Sequence, residues 1–195
     1  MNTSYSDKRR VKLTNALKSA LLFVLIATSQ YAKATTTTAI AMEGYIYGFP
    51  IVLMDETRKG MTGPERSCTF GADINTFKHV FELPDPDFKA VVRPNVDTLY
   101  SSAMLDLSES PVILTLPEVT DRYVLMALLD AWSNNFAGID TTGDNTLAGQ
   151  YVITGPQWRG QIPHNMTHIS APTDLVWIIG RTELLADNDI EAVNR

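Results

Sequence analysis

At 195 residues, with 16 basic and 22 acidic side chains, a formal net charge of −6 and 45% hydrophobic residues, the chain is long enough for one domain of ordinary size and apolar enough to build a core. Its acidic balance, without any basic stripe, excludes nucleic acid and anionic lipid surfaces as partners. A single cysteine, Cys68, excludes an intrachain disulfide, so packing has to supply the stability.

The first 34 residues have the order of an export signal. Lys8, Arg9, Arg10, Lys12 and Lys18 form a basic stretch, Ala20 to Ala27 an apolar run, and Ala32-Lys33-Ala34 the small-x-small site at which a signal peptidase cuts. The apolar run falls short of the roughly 20 residues that span a bilayer, so a cleaved signal is expected rather than an anchor. Arg9-Arg10 is a poor match to a twin-arginine signal. The segment holds six of the 16 basic and one of the 22 acidic residues, which leaves 10 and 21 and a net charge of −11 for a mature chain beginning at Thr35. The expected location is the periplasm or the medium, with no stable membrane insertion after cleavage.

Residues 35–195 then read as a single domain. Thr35 to Thr38 form a polar linker whose last residue can cap a helix. From about Ala39 a helix is expected, with Met42, Ile46, Phe49 and Leu53 on one stripe and a kink or restart at Pro50. Gly60, Gly63, Pro64, Gly71, Pro84 and Pro86 mark a stretch that is mostly loop, with one helical turn near Phe77. From Lys89 the pattern changes to strands. Thr98 to Leu107 alternates, and Val112 to Leu116, Tyr123 to Asp130, Gln150 to Thr154 and Leu175 to Arg181 follow with Pro, Gly, Asn and Asp turns between them. The connections are too short for crossover helices, so pairing should be mainly antiparallel. Tyr123 to Asp130 and Leu175 to Gly180 are apolar on both faces and should be central strands. Asp187 to Arg195 opens a helix that the sequence end cuts off. The expected class is α+β: a mainly antiparallel, sandwich-like β domain with an N-terminal helix packed on it.

The stretches "EGYIYGFPIVLM" (Glu43 to Met54), "RPNVDTLYSSAMLDLSESPVILTLP" (Arg93 to Pro117), "RYVLMALLDAWSNNFAGI" (Arg122 to Ile139), "GQYVITGPQW" (Gly149 to Trp158) and "APTDLVWIIGRTEL" (Ala171 to Leu184) resemble domain-of-unknown-function family 1254. The resemblance implies a bacterial, largely exported protein. It also implies a second domain after this one, a jelly-roll-like sandwich of family 1214, so the chain reads as C-terminally truncated. No catalytic residue set comes with the family.

Two segments gather more polar groups than a strand end requires. In "RPNVDTLYS" the groups are Asn95, Asp97, Thr98 and Tyr100, and in "DAWSNNF" they are Asp130, Trp132 and Asn134. One reading is local: Pro94 keeps the chain extended, Asn95 or Asp97 closes an Asx turn, and Thr98 starts a strand. The other makes the two segments opposite walls of one polar cleft. Asp97 and Asp130 would then be the acid and base of a hydrolase or lyase, and Asn95, Thr98, Tyr100, Trp132 and Asn134 would hold a polar small molecule such as a sugar. A non-catalytic binding domain with Trp132 as a stacking platform, and a structural half that docks the second domain, are the alternatives. His164 and His168 share a face but lack cysteine partners, and no metal site is expected. Cys68 with His79 would make a nucleophile and base, but nothing around "RSCTFG" would lower a thiol pKa. G-x-S-x-G, P-loop and dinucleotide-binding patterns are absent from the sequence, which leaves the cofactor open.

Overall fold

A computed structural model of the chain describes residues 3–64, 70–88, 93–142, 147–186 and 189–193. It falls into two compact units, Met1–Phe49 and Pro50–Arg195. Helix α1 (Thr3–Thr62) makes up the first unit and enters the second. The second unit contains β1 (Lys78–His79), β2 (Thr98–Asp106), β3 (Val112–Leu116), β4 (Val124–Leu129), β5 (Asn135–Asp140), β6 (Gly149–Thr154), β7 (Thr167–Ser170), β8 (Leu175–Glu183) and the short helix α2 (Ile190–Val193).

The strands form two sheets, one ordered β1-β2-β8-β4-β5 and the other β3-β6-β7. Every pairing is antiparallel except that of β6 with β7. The two strands that are apolar on both faces, β4 and β8, lie inside the larger sheet, with β8 at its centre. Strand alternation sends Ala103 and Leu105 of β2, Val124, Met126 and Leu128 of β4, and Val176 and Ile178 of β8 to one face. There they pack with Leu114 and Leu116 of β3 and Ile153 of β6 in a single core. Leu128, Ile153 and Val176 are fully enclosed, and each such side chain contributes about 1.5–3 kcal/mol by leaving water.

The opposite face of the larger sheet is covered by the end of α1. Met54 and Met61 are two helical turns apart and so share a face. They pack on Met104, Leu175 and Trp177. The Trp177 indole donates to the buried Ser102 hydroxyl at 2.9 Å, which satisfies both polar groups where helix and sheet meet.

Three expectations need correction. The four threonines Thr35 to Thr38 are not a linker, because α1 runs through them, and the helix continues past Pro50 rather than restarting there; the boundary between the two units falls at Pro50. The stripe Met42, Ile46, Phe49 and Leu53 is exposed, and the face that packs is the one carrying Met54 and Met61. Finally, the stretch around Phe77 is no helical turn but the edge strand β1. Cys68 lies outside the described residues.

Candidate functional site

Residues of the larger sheet and of β3 line a cleft of about 710 Å3. Its apolar walls include Leu99, Leu114, Leu116, Val124 and Met126, and Val193 of α2 borders it. Its polar lining includes Ser101, His79 and Arg122 together with Thr115, Glu118 and Asp121.

Ser101 and His79 meet because of strand register. They are partners across β1 and β2, and the adjacent backbone bond, from the Val80 amide to the Tyr100 carbonyl at 2.9 Å, makes theirs a non-hydrogen-bonded pair. Paired side chains approach most closely at such positions. Ser101 alternates with Leu99 and Ala103, so the pair stands on the face that looks into the sandwich. His79 Nδ1 is 2.8 Å from Ser101 Oγ. Phe77 and Phe81 stack on the two sides of the imidazole, with centroids 5.6 and 6.3 Å away. Opposite Ser101 on β8 stands Gly180, which is also opposite Met126 of β4. A Cβ at Gly180 would lie 2.7 Å from Met126 Sδ and 3.0 Å from Ser101 Cβ; the absence of a side chain there lets both neighbours close over the strand.

Arg122 serves the frame. Its side chain is only 8% exposed and is held between Asp121 at 2.8 Å and Asp189 at 2.5 Å. Asp189 also accepts the Leu185 amide at 3.0 Å. That amide and the guanidinium hold its carboxyl below the usual aspartate range. Glu183 accepts the Tyr123 amide at 2.9 Å. Together these bonds fix the segment leading into α2 against the start of β4.

The structure does not bring the two polar segments singled out in the sequence into one cleft. Thr98 pairs with Glu183 and Leu129 with Trp177. The two segments therefore sit at opposite ends of β8, about 20 Å apart at 3.3 Å per residue. The reason is topological: β2 and β4 flank β8 and run parallel to each other, so the start of one cannot lie beside the end of the other.

Within the first segment, Asn95 closes the turn. Its Oδ1 accepts the Asp97 and Thr98 amides at 3.0 and 3.2 Å, and its Nδ2 donates to the Thr98 carbonyl at 2.7 Å and hydroxyl at 2.8 Å. Asp97 is exposed and, with Thr98, Tyr123 and Glu183, lines a second cleft of about 780 Å3. The Tyr100 ring meets Phe70 edge-on at 5.5 Å, and the Arg181 guanidinium lies 5.5 Å from its centroid. In the second segment Asp130 is buried, and its carboxylate accepts the amides of Trp132 (2.8 Å) and Asn134 (2.9 Å) and the Asn134 side chain (3.1 Å). Ser133 in the same loop has a φ of 66°, a left-handed conformation that those bonds help to hold. Trp132 is half-buried in that loop. His168 pairs with Thr154 at 2.9 Å, and no group of three metal-ligating side chains occurs among the described residues.

The Ser101 and His79 pair went unread in the sequence, although Phe77, His79 and Phe81 recur with the period of two that marks a strand.

A two-sheet sandwich with the end of a helix packed on the outer face of its larger sheet defines an α+β domain. The chain belongs to the family described as "Protein of unknown function (DUF1254)", whose profile matches residues 74–195. Among solved structures it resembles the crystal structure of the VPA0106 protein from Vibrio parahaemolyticus, with a TM-score of 0.58 and 23% identity. That match covers 77% of this chain and 34% of the other, so the chain spans about a third of its relative's length, and the likeness concerns the fold. Among curated proteins there is no match.

Proposed function

We propose that this is an exported domain that takes up a small molecule in the cleft between its sheets. The observation that carries the reading is the cleft itself: about 710 Å3, lined by apolar side chains such as Leu99, Leu116 and Met126 together with polar ones such as His79, Ser101 and Arg122, a volume within the range of ligand pockets. The order of basic, apolar and small residues before Thr35 supports export, and the long apolar helix at the N-terminus is compatible with a signal. Titration with an environment-sensitive apolar dye such as 1-anilinonaphthalene-8-sulfonate tests the binding reading. Saturable enhancement that Met126→Trp abolishes, with the thermal transition retained, is the expected result; non-saturable or unaffected enhancement would overturn it.

A second reading is favoured by a separate observation. Ile40, Met42, Ile46, Phe49, Val52 and Leu53 of α1 are all more than half exposed, which suits a surface made to dock a partner domain. The partner expected from the sequence is a jelly-roll-like β domain. Mixing the chain with a separately expressed domain of that kind, and following co-elution, tests it; co-elution lost on Ile46→Glu would support docking.

A further inference from the structure

The cleft carries a pair of groups with the geometry of a reactive site. Ser101 is the one hydroxyl in a β2 face that otherwise reads Leu99, Ala103, Leu105, all buried. His79 stands on an edge strand of two residues, both exposed. Their register fixes the 2.8 Å contact between Oγ and Nδ1, and Phe77 and Phe81 restrict the ring on both sides. A hydroxyl within hydrogen-bond reach of an oriented imidazole, at the edge of an apolar cavity, is the arrangement of an activated nucleophile.

We propose that Ser101 and His79 form a nucleophile and base that hydrolyse small carboxylic esters with an apolar acyl group. This rests on the reading that the cleft admits a small molecule. With Nε2 carrying the ring proton, Nδ1 accepts the Ser101 proton as Oγ bonds to the ester carbonyl carbon. The bond from that carbon to the alkoxy oxygen breaks, and the alcohol leaves with the proton returned by the imidazolium. Water then attacks the acyl-serine and gives one proton to Nδ1. The bond from Oγ to the acyl carbon breaks, the proton passes to Oγ, and the carboxylic acid departs. No electron acceptor or cofactor enters the balance. The acyl chain would lie along Leu114, Leu116 and Met126, which line the same cleft.

The test uses the full chain, a fluorophosphonate as covalent probe and p-nitrophenyl butyrate as substrate. The expected result is one fluorophosphonate adduct by intact mass, mapped to the peptide containing Ser101, and ester turnover that Ser101→Ala abolishes. His79→Gln, at an exposed edge position, should lower turnover by at least about 100-fold while the thermal transition stays in place. Binding of 1-anilinonaphthalene-8-sulfonate is followed in parallel. Dye binding displaced by the ester, with no adduct and no turnover, would overturn the nucleophile assignment and leave the binding reading standing; an adduct on a residue other than Ser101 would do the same. Absence of saturable dye binding would overturn the binding reading itself. Should Ser101→Ala not fold, adduct mapping on the unaltered chain and the His79→Gln rate decide the matter.

Discussion

At Asp130 one buried carboxylate holds three N–H groups of the loop that follows it, which gives substitutions there a definite order. Asp130→Ala leaves those donors without their acceptor and should cost about 2–3 kcal/mol. Asp130→Asn keeps one oxygen for the two amides but turns an amino group toward Asn134, and should cost about half as much. Chemical denaturation of both variants checks the order; equal losses would mean that the carboxylate does not organise the loop. Asp97 behaves oppositely. The turn before β2 is closed by Asn95, so Asp97→Asn should change stability by no more than about 0.5 kcal/mol, whereas Asn95→Ala should cost about 1–2 kcal/mol. Loss of ligand binding in a stable Asp97→Asn protein would direct attention to the second cleft.

At the scale of elements, Gly180 of β8 stands between Ser101 of β2 and Met126 of β4. Gly180→Val forces a branched side chain against Met126 Sδ and Ser101 Cβ, already 2.7 and 3.0 Å from a bare Cβ. The flexible Met126 can move, but Ser101 is fixed by its strand. A loss of about 1–3 kcal/mol is expected, read as a lower thermal midpoint, together with weaker dye binding in the inter-sheet cleft.

The sequence told its elements apart by how much apolar pattern each could show. Val112 to Leu116 is the strand β3 end to end, and the two-sided apolar runs of β4 and β8 are interior strands. The three unread strands, β1, β5 and β7, are sheet edges; β3 is an edge as well, but it alternates because Leu114 and Leu116 are buried in the core. An edge strand is buried on fewer sides and is free to carry residues such as Lys78, Gly138 and His168. Alternation therefore weakens where pairing ends. The same limit hid the candidate site. Ser101 and His79 are joined by register, a long-range property, while the conspicuous polar segments were conspicuous because turn chemistry concentrates Asn and Asp locally. The helix α1 was legible as a helix but not in its buried face, since its apolar residues surround the axis and only the sheet decides which of them, Met54 and Met61, are covered.

Over the whole molecule, several carboxyls are held below the ordinary aspartate value of 3.8: Asp106 by the Ser108 hydroxyl and amide, Asp140 by the hydroxyl and amide of Thr142, and Asp189 by the Leu185 amide and Arg122. A folded-state pKa below the unfolded one favours the native state above the unfolded value, and that contribution disappears as pH falls through the folded value. Stability should therefore show no change from these groups between pH 7 and about 5, and should fall below about pH 4. Thermal melts across that range check it, and Asp189→Asn should reduce the acid-side slope. Export is read separately. N-terminal sequencing of protein from the periplasm or medium should begin at Thr35, and a start at Met1 in the soluble cytoplasm would contradict it. Among the described residues every buried apolar side chain lies at or beyond Met54, so cleavage should leave the thermal midpoint of the sandwich unchanged.

The position of β8 carries a consequence for the order in which the fold can be made. It is the last strand among the described residues, yet it pairs on one side with residues 98–106 and on the other with 124–129. A ribosome that has completed β2 and β4 has produced two strands that do not pair with each other and must wait for the one between them. Until residues 175–183 emerge, the larger sheet exists as two separate halves with open, apolar edges, which are prone to pair with other chains. Such long-range closure makes folding slow, and through that interval the two halves of the sheet stay unjoined.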